Sequence, residues 1–583
     1  VRNAVSHNRI NTMPKPTKKT KKGPRSLTSA ETSLFPWFPD TLKSSRFPTI
    51  IALIYFVMML YFSLTYHKIG DYDVETDFYW GFVGEAKQIL SGSMPIGDFK
   101  GPGYGIALAL FKLVISDYFT AGVVMSVLCA ALTLLFTYKI IAQLFRPDLA
   151  LLTTLGVAIN AVFLKYTYSA GTDMLFNALM AVSIYFILRK DELNAAQKYK
   201  NKECGIPPWR DMWDIALAGL FSGYAYLTRY NGVALLVWVP IVLLFLNIKH
   251  LSWKQRLIGT TVYFGCAALL ILPWGVHCLS QKGSFFYNTN YQNIAFDIYG
   301  QGKMSWDQFW NVEARNFTSF SDVILRDPGA FINKMFSNLY EHFRNDIGFL
   351  PQQPGTQASL YDTLRILVTS KIGIFVVPGI LVLAVERINK RQLAYFTFSF
   401  LFFGVLLTVF YGPRFSLYLL PTYILLALSF LSWKRLSFLR IGKVGAQRAA
   451  LFVVLILFAL TFVESFKVIK ENISSGPTEI LQIADWVQRN KLERKESDII
   501  VARKPHIGYY LNMEFRSFPY VNTFPELMVE LGKLKAAYLF FSGIEAGMRP
   551  QFQYLLDPTK APPDLQAIVY TTYPPAVLYK INR

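Results

Sequence analysis

The sequence predicts a polytopic α-helical membrane protein with about eleven transmembrane helices and a small C-terminal α/β domain outside the membrane. Three observations carry that reading. Of 583 residues, 53% are apolar and 17% charged, whereas soluble chains carry about 25% charged residues. Eleven apolar runs approach the ~20 residues that a span needs. After residue 473 the pattern changes to short alternating helix and strand signals. A soluble enzyme, a disordered scaffold and a coiled coil are excluded. The net charge of +21, from 59 Lys and Arg against 38 Asp and Glu, points to cytoplasmic loops rather than nucleic acid.

Residues 1–47 are polar and basic, with Lys15, Lys18, Lys19, Lys21, Lys22 and Arg25 close together. A disordered cytoplasmic tail is expected, with no cleavable signal peptide. The membrane domain is expected over 48–473. Its runs are 48–66, 120–144, 148–165, 173–189, 213–229, 232–248, 257–275, 372–388, 393–410, 415–433 and 449–466. Pro102–Ser116 is apolar but short, and it carries Lys112. If it does not span, then Arg146, the 189–212 loop (Arg189, Lys190, Lys198, Lys200, Lys202 and Arg210), Lys249–Arg256, Arg387–Arg391 and Lys434–Arg448 all face the cytoplasm. If it spans, every later loop flips. The bias of Lys and Arg toward the cytoplasm selects the first topology. The outer face then holds loops 67–119 and 276–371 and the domain 474–583. That domain shows helices at Glu479–Arg489 and Pro525–Lys535, and strands at Asp498–Ala502, Ala537–Phe541, Gln566–Tyr570 and Ala576–Ile581. Its Arg503-Lys504-Pro505-His506 run reads as a solvated turn, with anion binding as the sharper alternative. Cys129 and Cys266 lie in apolar runs. Cys204 and Cys278 fall on opposite sides of the membrane, so no disulfide framework is expected.

Chemistry is therefore expected on the outer face. The first outer loop reads Gly70-Asp-Tyr-Asp-Val-Glu-Thr-Asp77-Phe-Tyr-Trp80. Carboxylates beside aromatic residues at a membrane surface suit general-base work on a hydroxyl, or a divalent metal, although nothing in the sequence requires one. Asp77 reads equally as an N-cap for a helix Phe78–Leu90. Asp71 and Asp73 form a DxD pair, a common pattern of low specificity. Asp173 opens a span, where capping competes with function. Arg229 and Arg414 are cations at the outer ends of spans, against the charge bias. They can grip phosphate oxygens in a fork or snorkel to lipid headgroups. His277 closes a span and has no second His at zinc-ligand spacing.

The order of these features resembles the C-type (GT-C) membrane glycosyltransferases. It is most similar to the family-39-like group of protein O-mannosyltransferases and lipid A aminoarabinose transferases, over about residues 48–433. Asp77 resembles their loop carboxylate, and Lys100 with Pro102 their Lys-Pro-Pro stretch. Asp173 resembles the Asp that opens a later span, and Arg229 their cation after Leu-Thr. Tyr411-Gly-Pro-Arg414 with Pro421 resembles their late arginine-proline signature, and Gly283–Asn290 a stretch of bacterial members. Phe78 stands where many members have Glu, and Gly101 replaces the first Pro. The resemblance therefore leaves the catalytic carboxylate open among Asp77, Asp73 and Glu75.

The resemblance implies transfer of a sugar from a polyprenyl phosphate to an acceptor hydroxyl on a lipid, glycan or protein, with inversion. The donor phosphate would fall to Lys100, Arg229 or Arg414, and Asp98 or Asp173 would orient the acceptor or a metal. No nucleotide sugar is expected outside the membrane. A transporter or an outer-face glycan polymerase or ligase are the rival readings.

Overall fold

The computed structural model describes residues 46–189, 208–346, 371–409, 411–433 and 443–582. The basic tail up to residue 45, Lys190–Cys204 within the basic loop, residues 347–370 of the second outer loop and the start of the Lys434–Arg448 cluster lie outside the described residues.

The apolar runs are helical. Among the described residues, five helical stretches are long and apolar enough to cross a membrane: Phe47–Tyr66, Tyr118–Leu144, Trp253–Lys282, Pro413–Leu431 and Ala449–Arg489, the last interrupted at 475–477. The pair Pro147–Ala158 and Ala161–Tyr168, bent by 64°, makes a sixth if it is one broken span. The bend has a local cause. Asn160 takes an extended conformation, and its side chain accepts from the backbone N–H of Val162 and Phe163, starting a new helix. The other runs form the helices Thr172–Leu188, Trp209–Thr228, Val233–Ile241, Val376–Val385 and Lys390–Leu407.

Contacts sort the helix ends into two faces. At one, Arg189 pairs with Asp214, Lys249 with Asp211, Gln392 donates to the Leu144 carbonyl and Trp433 to Glu386. The basic loops that the structure describes therefore gather at one end of the bundle. At the other end Arg229 meets Asp173, His277 meets the Met94 carbonyl, and Lys165 meets Asp71.

Gly103–Lys112 begins and ends at that second face. Its ten residues reach about 15 Å, half of a ~30 Å hydrocarbon core. Its first turn backs onto Leu227 and Thr228, where a Cβ on Gly103 would lie 2.7 Å from the Thr228 nitrogen. A Cβ on Gly101 would lie 2.5 Å from the Leu227 carbonyl oxygen. The Gly-Pro-Gly sequence is thus set by close backbone approach. Past the far end of the helix, Asp117 accepts from Tyr509 of the C-terminal unit at 2.6 Å.

The C-terminal unit has a five-stranded sheet in the order β2-β1-β3-β5-β4. The strands are Ile499–Ala502 (β1), Glu514–Ser517 (β2), Tyr538–Ser542 (β3), Leu565–Thr572 (β4) and Pro575–Ile581 (β5). The first three in sheet order are parallel, and β5 and β4 run antiparallel. Strand alternation divides the core between two faces. Ile500 and Ala502 pack with Ile480, Ile483 and Val487 of Thr478–Arg489. Val501, Leu539 and Phe541 pack with Leu527 and Leu531 of Phe524–Lys533. The sequence reading lacks β2. Its four residues, Glu-Phe-Arg-Ser, form an edge strand with no buried residue, so the apolar signal of a strand is missing.

Candidate active site

The site lies at the second face. The helix within the first outer loop starts at Thr76, two residues earlier than the sequence suggests. Asp77 therefore has helical dihedrals, φ −61° and ψ −28°, and makes no capping hydrogen bond. This corrects the cap reading and leaves the carboxylate free for other work. Its Oδ2 accepts from Lys100 Nζ at 2.7 Å, and that ammonium lies 4.3 Å above the Phe82 ring. Asp77 is half open, at 49% side-chain exposure, on the wall of a cleft of about 370 Å³. Asp73, Lys165, Tyr166, Arg414 and Phe415 also line that cleft. Burial favours the neutral acid, but Lys100, Arg414 and Arg229 outweigh it and hold the Asp77 carboxyl down to about 2.

Arg414 is presented by the helical turn Pro413–Ser416, where Pro at the first position suits a helix start. Among the described residues it has no ion-pair partner. Its guanidinium stacks on Phe415 at 5.1 Å, and Arg229 approaches the same ring at 5.3 Å. Arg229 is not the lone cation that its sequence position suggests. It donates to Asp173 at 2.7 Å and to the Thr172 hydroxyl at 2.9 Å, and Tyr418 donates to the same Asp173 oxygen. Asp173 and Arg229 are 5% and 10% exposed. Asp173 is not a cap either, since Gly171 holds that position. This pair joins two helices beneath the cleft.

The other candidates separate. Glu75 is fully buried. It accepts from His67 at 2.9 Å, the Asp71 N–H at 3.0 Å and the Ala170 N–H at 2.6 Å. Such a saturated carboxylate braces the loop and does not reach an acceptor. Asp71 accepts from the backbone N–H of Asp73 and Glu75, an Asx turn. Asp98 joins the two outer loops: it accepts from Tyr287 at 2.7 Å, and its carbonyl accepts from Thr289. Among the described residues, no three His, Cys, Asp or Glu side chains gather closely enough to hold a metal ion.

Sequence reasoning missed two groups. Lys165 pairs with Asp71 and Asp73 at 3.4 and 3.7 Å, and only the fold brings it there. Glu85 was legible from helix spacing, since Asp77, Gly81 and Glu85 recur every four residues. Burial raises its carboxyl to about 7, against the opposing pull of Lys100 and with Asp77 adding to the rise. Its Oε2 is buried without a hydrogen-bond partner beside Gly105, and its Oε1 lies beside Gly97; the missing Cβ at each glycine leaves room for the carboxyl.

Residues 100–277 match the model of the dolichyl-phosphate-mannose-protein mannosyltransferase family. No curated protein matches the chain in sequence. Solved structures match its fold. ArnT from Cupriavidus metallidurans in the apo state aligns with a TM-score of 0.51 at 10% identity, over 91% of this chain and 97% of that one. ArnT bound to undecaprenyl phosphate aligns at 0.50 and 12%, over 92% and 98%. The oligosaccharyltransferase AglB from Archaeoglobus fulgidus, in complex with an inhibitory peptide and a dolichol-phosphate, aligns at 0.52 and 14%, over 86% and 70%. The fold is the GT-C fold of these membrane proteins, with a small C-terminal sheet.

Proposed function

We propose that this GT-C protein is a membrane glycosyltransferase that moves a sugar from a polyprenyl phosphate to an acceptor hydroxyl, with inversion. The observation that carries the reading is the cleft at one end of an apolar bundle, lined by Arg414 and by an ionised carboxylate, Asp77, that is paired with Lys100. The polyprenyl phosphates bound to ArnT and AglB support the donor class. An apolar tail suits the surface of the bundle, and a phosphate suits the cations at its rim.

The geometry supports the following order of events. Without donor, Lys100 is spent on Asp77, whose low pKa makes it a weak base. A donor phosphate competes for Lys100 and engages Arg414. Each cation stabilises the charge that grows on the leaving phosphate. As Lys100 turns toward phosphate, Asp77 loses its main counter-charge and its basicity rises. It then takes the acceptor proton while the hydroxyl oxygen attacks the anomeric carbon opposite the phosphate. One displacement inverts the configuration. The protein purified in detergent, where no gradient exists, transfers sugar from a polyprenyl-phosphate donor. A gradient-dependent flux with no transfer would establish the transporter instead.

The cleft lies on the outer face, with the N-terminus cytoplasmic and residues 474–583 extracytoplasmic as a separate domain. The basic loops at the opposite end of the bundle support this orientation. Cysteine labelling at 300–340 and 520–560 is expected to report the outside. Cytoplasmic labelling there would invert the model.

Glu85 sets a pH dependence. Its folded pKa, about 7, is above the ordinary carboxylate value. The neutral form therefore prevails below 7, and a second negative charge appears beside Lys100 as pH rises through it. Donor KM is expected to rise between pH 6 and 8 in the wild type and to stay flat in Glu85→Gln. The folding term has the same sign. Stability associated with Glu85 is full below pH ~4.5 and lost as pH rises through 7, so Glu85→Gln melts higher than wild type at pH 8. A wild-type inflection that persists in Glu85→Gln would refute the assignment.

A further inference from the structure

The Arg503-Lys504-Pro505-His506 run is not the solvated turn that its composition suggests. It starts the helix His506–Leu511 and lies against the loop that carries Asp77. His506 is fully buried. Its Nε2–H donates to the Asp71 carbonyl at 3.0 Å, and its ring lies 4.2 Å from that of Tyr79 and 4.9 Å from that of Tyr72. Burial pushes its imidazole down to about 3, so it stays neutral and is a donor, not an acid. Lys504 Nζ donates to the Tyr72 carbonyl at 2.5 Å and to the Thr76 hydroxyl at 3.1 Å. The Thr76 hydroxyl in turn donates to the Tyr72 carbonyl at 2.8 Å, which closes a three-way contact.

Further bonds surround this contact. Tyr72 donates to Glu479 at 2.7 Å, Tyr509 to Asp117, and Tyr510 to the Lys68 carbonyl. Arg503 and Arg549 both reach Asp307 of the second outer loop. The anion-binding alternative loses its donors, because Lys504 and His506 are already committed to the loop.

We infer that the C-terminal α/β unit positions the catalytic carboxylate: Lys504, assisted by His506, fixes the turn Tyr72–Thr76 and so the helix start from which Asp77 projects. The inference rests on the glycosyl-transfer reading. Its physical content is orientation. Thr76 precedes Asp77 directly, and both lie in the first turn of one helix. The free groups at a helix start are backbone N–H donors, which an ammonium cannot serve; Lys504, from a unit more than 400 residues along the chain, instead ties the Tyr72 carbonyl just ahead of the helix to the Thr76 hydroxyl in its first turn. Misplacement of a reacting group by ~1 Å from a distant change can cost up to ~10²-fold in rate.

The test uses the full-length protein in nanodiscs with a polyprenyl-phosphate sugar as donor. Lys504→Met keeps the bulk of the side chain and removes the donors. The expected result is a kcat lower by about tenfold or more, with donor KM within about twofold, since Lys100 and Arg414 are untouched. Lys504→Arg, which keeps N–H donors, recovers part of the loss. A readout without substrate accompanies it. In Lys504→Met the amides of residues 71–80 exchange with deuterium faster, while β1 and β3 of the C-terminal sheet exchange as in wild type.

Unchanged exchange at 71–80 would overturn the inference, and so would faster exchange with wild-type kcat. A raised acceptor KM at constant kcat would overturn it in favour of acceptor binding by this unit. Absence of transfer by the wild type would sink the functional reading, while the exchange measurement still judges the clamp.

Discussion

Asp77→Asn is expected to abolish sugar transfer, by at least ~10²-fold, the lower end of what a general base contributes. Asparagine keeps the shape of the side chain and removes its charge and basicity. The helix start is not at risk, because Asp77 makes no cap bond. Fold stability is barely at risk, because the pair with Lys100 is half exposed and such pairs are worth about 0–1 kcal/mol. The sign of its pH dependence is fixed by the depressed pKa. The pair's stabilisation is present above the ordinary carboxylate range and is lost only as pH falls through about 2. Asp77 is thus ionised at every working pH in the donor-free protein, and its own titration gives kcat/KM no acid limb above pH ~4. The decisive measurement is transfer by purified Asp77→Asn that still binds donor. Activity within a few-fold of wild type would move the base to Asp73, which also lines the cleft. Glu75 is no longer a candidate, because it is fully buried.

The two arginines should fail in different ways. Arg414→Ala is expected to lower turnover by ~10²–10³, the cost of losing one charge-stabilising donor in the transition state, with a wild-type melting temperature. Arg414→Lys should rescue only part, since the fork geometry is lost. Arg229→Ala leaves Asp173 buried beside Tyr418 without its counter-charge. Breaking a buried pair costs about 3–5 kcal/mol, so thermal unfolding should show the loss before kinetics do. Arg229 in the phosphate role and Arg414 as a snorkelling cation would give the reverse pattern. Melting curves and turnover measured on the same two variants separate the cases.

Much of this was legible from residue types and spacing. Apolar runs, loop charge and the short Pro102–Ser116 segment give the helices, their relative sidedness and the juxtamembrane helix, because solvation by lipid or water acts on each segment by itself. The membrane-surface carboxylates and cations were legible for the same reason: charge at the end of a span is costly unless it is used. Among Asp77, Asp73 and Glu75, spacing could not choose. All three lie within five residues of one loop, and what separates them is which direction each faces after folding.

That choice belongs to the tertiary structure. Lys100 is 23 residues from Asp77, and Arg414 joins Asp77 in the cleft from more than 300 residues further along the chain. Arg229 pairs with Asp173 across 56 residues, which commits an apparent lone cation to an ion pair. Lys504 reaches Thr76 across 428 residues, which turns an apparent solvated turn into a clamp. Ionisable side chains take their roles from the charges and desolvation around them, and those surroundings exist only once distant segments pack. The sequence by itself determined the solvent of each segment, and hence the helices, the faces and the end of the bundle where chemistry can occur. Only the tertiary structure decided which charges are spent on each other and which remain for a substrate, because that partition depends on distances of a few ångströms between residues far apart in the chain.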